Sequence, residues 1–318
     1  MIVTVTLNAA LDRTLSVPTF QLGHRHRAND ALTLAGGKGI NVARALKRLE
    51  VPVVAMGLAG GRTGTRLVEE LTSEAILNDF VRIAGESRTS TAVVDPTAGT
   101  HTEINEWGPK ATERELEMLL EKLQYVARSV DMVVLAGSLP RSVRDDWYAV
   151  AIRELNRRGV RVALDAEGEP LRLGLDAEPF LVSPNQREAE GIVDQELEDD
   201  EDFVMALDTL ADLGAQNVVL TMETGAFARV REGRRVRRFR ATAPQVEPVS
   251  TVGTGDVLLA QWIAATLDER SAEQALRLAV AAGAASCLEV GAGRFEPREA
   301  AQLAGASEVH ELEPARRA

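Results

Sequence analysis

The chain has 318 residues, of which 45 % are hydrophobic and only 4 % aromatic, and a formal net charge of −12. That length and apolar fraction suit one large α/β domain with an aliphatic core, and the acidic balance argues against a general nucleic-acid or anionic-membrane binder. The single cysteine, Cys287, forbids an intrachain disulfide and fits a reducing, cytoplasmic setting, and the four histidines show no zinc-ligand spacing.

The opening "IVTVTL" (2–7) reads as a first strand rather than a targeting segment, because no basic stretch accompanies it. No apolar run is long enough to span a bilayer. Further β-branched runs at 51–60, 131–137, 160–166, 179–184 and 217–222 predict strands. Apolar spacings of three and four predict helices at 39–49, 64–75, 112–127, 144–158, 187–193 and 201–213, and two more at 256–268 and 272–290. Strand and helix alternating in this way predict a mostly parallel sheet covered by helices on both faces. No strand is expected after 256.

Two stretches break the rhythm. Residues 13–35 and 87–106 look like strand pairs, the second with a turn at "DPTAG". Without helical crossovers they cannot join a parallel core, so they predict a small accessory sheet over its carboxyl edge, where open α/β sheets bind ligands. The basic run "RVREGRRVRRFR" (229–240) predicts a solvated hairpin turning at Glu232-Gly233. From about 305 the apolar period fades, and a loosely ordered tail (306–318) is expected after a single domain spanning 1–305.

Candidate chemistry gathers at the predicted strand ends. "AGGKGINVARAL" (35–46) sets Gly36, Gly37 and Gly39 around Lys38 at the mouth of a helix, with Asn41 one turn in. Glycines let a ligand approach the backbone, a helix start favours anions and a lysine adds a point charge, although a plain tight turn accounts for the same residues. The GxxxxGK[ST] spacing of a P-loop is absent. Asp12 in "LNAALD" offers a carboxylate to sugar hydroxyls or caps a turn. "AGSLP" (136–140) brings Ser138 to the same edge, and "LTMETGAF" (220–227) ends another strand. Asn185 and Glu188 in "SPNQRE" are spaced either to serve a hydrated Mg²⁺ or to cap the next helix. In "STVGTGDVLLA" (250–260), Gly253, Thr254 and Gly255 would turn successive N–H groups toward an anion, with Asp256 beside them as proton acceptor or as helix cap.

"AGGKGINVARAL" and "STVGTGD" together resemble the two signatures of the PfkB carbohydrate kinases, and the likeness extends over roughly 2–295. "TLNAALD", "TEINEWGP", "GSLP" and "PNQRE" are most similar to the 1-phosphofructokinase and tagatose-6-phosphate kinase subgroup. The resemblance implies a ribokinase-like three-layer α/β/α sandwich with a β-sheet lid. It implies an ATP- and Mg²⁺-dependent kinase acting on a ketohexose phosphate. Fructose 1-phosphate is the first expected acceptor, with tagatose 6-phosphate or fructose 6-phosphate as alternatives. A sugar-phosphate-binding regulator on the same scaffold is the reading from another class.

By position, Asp256 would be the base, and Gly253, Thr254 and Gly255 the anion hole. Asp12, Gly37, Lys38, Asn41, Arg88 and Ser138 would hold the sugar phosphate, with Arg27 reaching a phosphate from a partner subunit of a lid-mediated homodimer. Asn185, Thr221, Gly225, Ala282 and Gly283 would line the nucleotide site, and Glu188 would serve the metal. The chain departs from the family at Thr254, where alanine is usual, at Ser183, where lysine is common, and in the short "TMETG" loop bearing Glu223. Trp107 stands where proline is usual.

Overall fold

The computed structural model describes residues 1–314. The chain opens with β1 (Ile2–Thr6) and passes into β2 (Ala10–Ser16), β3 (Asp30–Gly36) and α1 (Lys38–Arg48). Next come β4 (Val53–Gly60), α2 (Gly61–Ser73), β5 (Leu77–Ile83), β6 (Arg88–Asp95), β7 (Thr100–Asn105) and α3 (Glu113–Val126). The middle of the chain forms β8 (Met132–Ala136), α4 (Trp147–Asn156), β9 (Arg161–Asp165), α5 (Gly168–Leu175), β10 (Leu181–Val182) and α6 (Gln186–Val193). The last part contains α7 (Asp200–Asp212), β11 (Asn217–Met222), β12 (Gly225–Glu232), β13 (Arg235–Thr242), α8 (Thr254–Leu267), α9 (Ala272–Ser286), α10 (Pro297–Leu303) and β14 (Glu308–Leu312).

Ten strands form the main sheet in the order β14-β13-β12-β11-β10-β9-β8-β1-β4-β5. Pairing is parallel from β11 to β5 and antiparallel from β11 to β14. Alternation along β1 sends Ile2 to one core and Val3 and Val5 to the other. The first core holds Ile40 of α1, Leu67 of α2, Val257 of α8 and Ala275 of α9. The second holds Leu116 of α3, Trp147 of α4, Leu171 of α5 and Phe203 of α7. Two helical layers thus bury both faces of the sheet, as its near-continuous apolar strands require. No helix among the described residues is long and apolar enough to cross a membrane.

The lid is a separate four-stranded sheet, β3-β2-β6-β7. Its strands lie close to the predicted pairs, but β2 begins at Ala10 and residues 17–29 form an irregular loop. Asp12 therefore lies inside a lid strand rather than in the loop after β1.

Two expectations are corrected. A strand does follow 256: β14 pairs with β13 from Arg238↔Leu312 to Thr242↔Glu308, so 308–312 are ordered by a sheet edge. The expected tail's last residues, 315–318, lie outside the described residues. The basic hairpin β12–β13 forms as expected with residues 231–236 exposed; it also extends the main sheet, and its charges find acids. Arg229 Nε and Arg238 Nη2 reach Asp208 Oδ1 at 3.0 and 2.7 Å, Arg240 Nη1 reaches Asp200 Oδ1 at 2.9 Å, and Arg237 Nη2 reaches Glu311 Oε2 at 2.7 Å.

Candidate active site

Gly253 adopts φ 80 and ψ 10, a left-handed conformation that suits glycine, and it is the N-cap of α8. A Cβ there would come within 2.7 Å of the Ala292 Cβ, so the loop at 291–294 also requires a glycine. Thr254, Gly255 and Asp256 are the first three helical residues, and no side chain caps them. Capping is thus excluded as the role of Asp256. Thr254 turns its side chain away from the helix mouth: Oγ1 donates to the Thr251 carbonyl at 3.0 Å and lies 3.4 Å from Cys287 Sγ. The Thr254 N–H lies 3.5 Å from the Thr251 carbonyl, while the Gly255 and Asp256 N–H groups have no partner among the described residues, and with the helix dipole they favour an anion.

Asp256 is buried, and its Oδ2 accepts a 2.8 Å hydrogen bond from Asn41 Nδ2. Burial pushes its carboxyl up to about 7, with Asp165 adding to the rise and Lys38 and the Asn41 amide opposing it. Its Oδ1 accepts no hydrogen bond from the described residues. Such a group gains a proton readily from a hydroxyl at neutral pH.

Asp12 faces a cavity of 730 Å³ under the lid that Asn41, Ser90 and Glu103 also line. Burial raises Asp12 to about 6 against the pull of Arg88 and Arg44. Gly36 makes room for it, since a Cβ there would meet Asp12 Oδ2 at 1.9 Å. Arg88 donates from Nε to the Asn8 carbonyl at 3.1 Å, and Asn8 Nδ2 donates to Ser138 Oγ at 3.0 Å. The residues expected around a sugar phosphate, Arg88 and Ser138, are thus joined through Asn8, which the sequence reading passed over.

Lys38 is corrected. Its Nζ binds Asp165 Oδ1 at 2.7 Å and Glu188 Oε1 at 3.0 Å, which turns it toward the residues expected to serve nucleotide and metal rather than toward Arg88. Burial works against its charge, yet Asp165 and Glu188 hold the ammonium protonated beyond the usual lysine range. Gly37 is the N-cap of α1 at φ 109, and a Cβ there would meet Thr6 Cγ2 at 2.8 Å, so it serves a close approach to β1.

Asn185 and Glu188 form a capping box on α6: Glu188 N donates to Asn185 Oδ1 and Asn185 N to Glu188 Oε2, each at 2.9 Å. Its other oxygen accepts from Lys38, so each carboxylate oxygen of Glu188 carries one hydrogen bond and keeps a lone pair. Among the described residues no three His, Cys, Asp or Glu side chains form a metal cluster. The donors suit a hydrated Mg²⁺ carried by nucleotide phosphates.

The nucleotide-side expectations are mixed. Thr221 ends β11 beside Asn185 through a parallel bridge, while "TMETG" closes as a hairpin with Met222 opposite Gly225 and Glu223 exposed. A Cβ on Gly225 would meet the Ala241 carbonyl at 2.0 Å, so strand packing explains that glycine. Ala282 and Gly283 are corrected: both are buried, and Gly283 packs against Thr254 and Leu258 of α8. Arg27 is exposed in the loop between β2 and β3, with no ion pair among the described residues.

Comparison with known proteins places these features in one family. The model of the pfkB family carbohydrate kinases matches residues 6–299. A 1-phosphofructokinase of Borreliella burgdorferi is 33 % identical over 91 % of this chain and 92 % of its own length. A 1-phosphofructokinase of Bacillus subtilis is 33 % identical over 93 % of this chain and 96 % of its own. The solved structure of phosphofructokinase-2 from Escherichia coli in complex with fructose-6-phosphate superposes with a TM-score of 0.85 at 27 % identity, covering 96 % of this chain and 98 % of that one.

Proposed function

The chain belongs to the pfkB family of carbohydrate kinases, and from that premise we propose that it transfers the γ-phosphoryl group of ATP to fructose 1-phosphate, giving fructose 1,6-bisphosphate. The observation that carries this reading is the buried, near-neutral Asp256, oriented by Asn41 at the open mouth of α8. An acceptor hydroxyl bound beside Asp256 Oδ1 loses its proton there as its oxygen attacks the γ-phosphorus. The N–H groups of Thr254, Gly255 and Asp256 stabilise charge on the equatorial oxygens. Asp12 accepts from sugar hydroxyls, and Arg88 with Ser138 meets the phosphate already on the sugar. Lys38, bridging Asp165 and Glu188, lies on the nucleotide side of the reacting groups, where its ammonium offsets phosphate charge. Asn185 and Glu188 would serve a hydrated Mg²⁺ bound with ATP, which would supply charge to offset the leaving phosphate.

Fructose 6-phosphate is the second reading, favoured by the likeness to the solved Escherichia coli complex with that sugar. Coupled ADP release with Mg·ATP, measured against fructose 1-phosphate, fructose 6-phosphate and tagatose 6-phosphate, decides among acceptors. Preferential turnover of fructose 1-phosphate is expected. No turnover of any, with thermal stabilisation by a sugar phosphate alone, would replace the enzyme by a regulator.

The reading includes a homodimer formed through the lid. Leu15, Val93 and Ile104 alternate with cavity-lining neighbours and so share the opposite face of the lid sheet, and Ile104 is 63 % exposed. Sedimentation equilibrium at micromolar concentration tests this, and a monomer would remove Arg27 from the phosphate site.

A further inference from the structure

Arg44 lies on α1 one turn beyond Asn41 and is only 3 % exposed. Lone arginines are rarely buried so deeply, because the charge must be matched by hydrogen bonds and a counter-ion. Here both are present. Nε and Nη2 grip Glu74 at 2.5 and 2.8 Å. Nη2 also donates to the Ala35 carbonyl at 2.6 Å, at the end of β3. Nη1 donates to the Ala292 carbonyl at 3.0 Å and to Asn41 Oδ1 at 3.3 Å. The first carbonyl precedes the glycine loop of α1. The second belongs to the residue against which Gly253 packs.

The contact with Asn41 has a consequence for the base. A guanidinium can only donate, so the amide must present its oxygen to Arg44 and its NH₂ elsewhere. The group that then receives the NH₂ is Asp256 Oδ2, at 2.8 Å. Without Arg44 only the carboxylate would hold the amide in this orientation, and the flipped amide would turn its oxygen on the carboxylate and repel it. Building on the kinase reading above, we infer that Arg44 is a positioning residue for catalysis: anchored by Glu74, it fixes the Asn41 amide so that Asp256 is hydrogen-bonded at one oxygen and open at the other. It acts through Asn41 and does not touch the reacting atoms.

Removing the guanidinium frees the amide and weakens the one hydrogen bond that favours the ionised base. The other charged groups that act on Asp256, namely Asp165, Lys38 and Asp12, stay in place. The acid limb of the kcat/KM profile reports the base in the free enzyme. In Arg44→Lys, which keeps charge and length but loses the planar fork, that limb should move to higher pH by about one unit. Asn41→Ala should reproduce the shift, and the double variant should move no further than Asn41→Ala alone. The substrate phosphate titrates identically in every enzyme, so the difference belongs to the protein. Arg44→Met also removes a charge that lowers Asp12, so, should the lysine variant not fold, it is read with and without Asn41→Ala: the part of its shift that vanishes in the double variant belongs to the amide. A rate lowered by the same factor at every pH, with the limb unmoved, would reduce Arg44 to a packing role and overturn the inference. Because wild-type turnover is measured alongside, that result leaves the kinase reading intact, whereas an inactive wild type rejects the kinase reading itself.

Discussion

Asp256 and Asp12 are carboxylates that the fold holds above their ordinary range, and burial is the main cause in both. For Asp256 the consequence for stability can be signed. The ordinary value is 3.8 and the folded value about 7, so between these the native state keeps a proton that the unfolded chain has released. Stability from this group is full below the lower value and falls as pH rises through the window. Above about 7 the buried carboxylate exerts its whole penalty. Asp256→Asn removes that penalty and keeps an acceptor for Asn41. The variant should therefore melt a few degrees higher than wild type at pH 8, and the difference should vanish near pH 4. Melting curves at several pH values check this, and a difference independent of pH would mean that Asp256 is not forced toward neutrality by its surroundings.

At the scale of elements, the sequence spoke clearly where one periodicity dominated. β1, β8 and β11 are runs of apolar, largely β-branched residues buried on both faces, and α1 carries its apolar stripe openly. β5 was missed because "LNDFVRI" alternates irregularly at the sheet edge, with Leu77 68 % exposed. α5 was missed because its eight residues include two glycines and a proline. β14 is charged and short, and only its pairing with β13 makes it a strand. The same divide runs through the site. Asn41 and Asp256 were legible because their glycine-rich neighbours mark backbone that must approach something closely. Arg44 was not. On a helix it reads as a surface arginine, and what buries it is a carbonyl nine residues away and another 248 residues away. The partners of Lys38 were hidden for the same reason, since Asp165 and Glu188 reach it from 127 and 150 residues along the chain.

Across the whole molecule, two sheets divide the labour. The ten-stranded sheet and its helices fix the rigid side of the site: the mouth of α8, Asn41 on α1, Ser138 after β8, and Asp165 at the end of β9. The lid supplies Asp12 and Arg88 from neighbouring parallel strands, in register two residues apart. In the proposed reading, a sugar phosphate held between them would meet acceptors and a cation from the lid and the proton acceptor from the core. Closing the lid would exclude water from the transferring group, which would otherwise accept it. The long reach between these parts explains why no single stretch of sequence contains the site.

The central claim is that Asp256 takes the proton of a bound sugar-phosphate hydroxyl. The most direct measurement sets turnover beside sugar-phosphate binding in Asp256→Asn. Turnover should fall by at least about 100-fold, while calorimetric affinity for fructose 1-phosphate stays close to wild type, because Asp12, Arg88 and Ser138 are untouched. Turnover and binding lost together, or turnover retained, would contradict the assignment of Asp256 as the base.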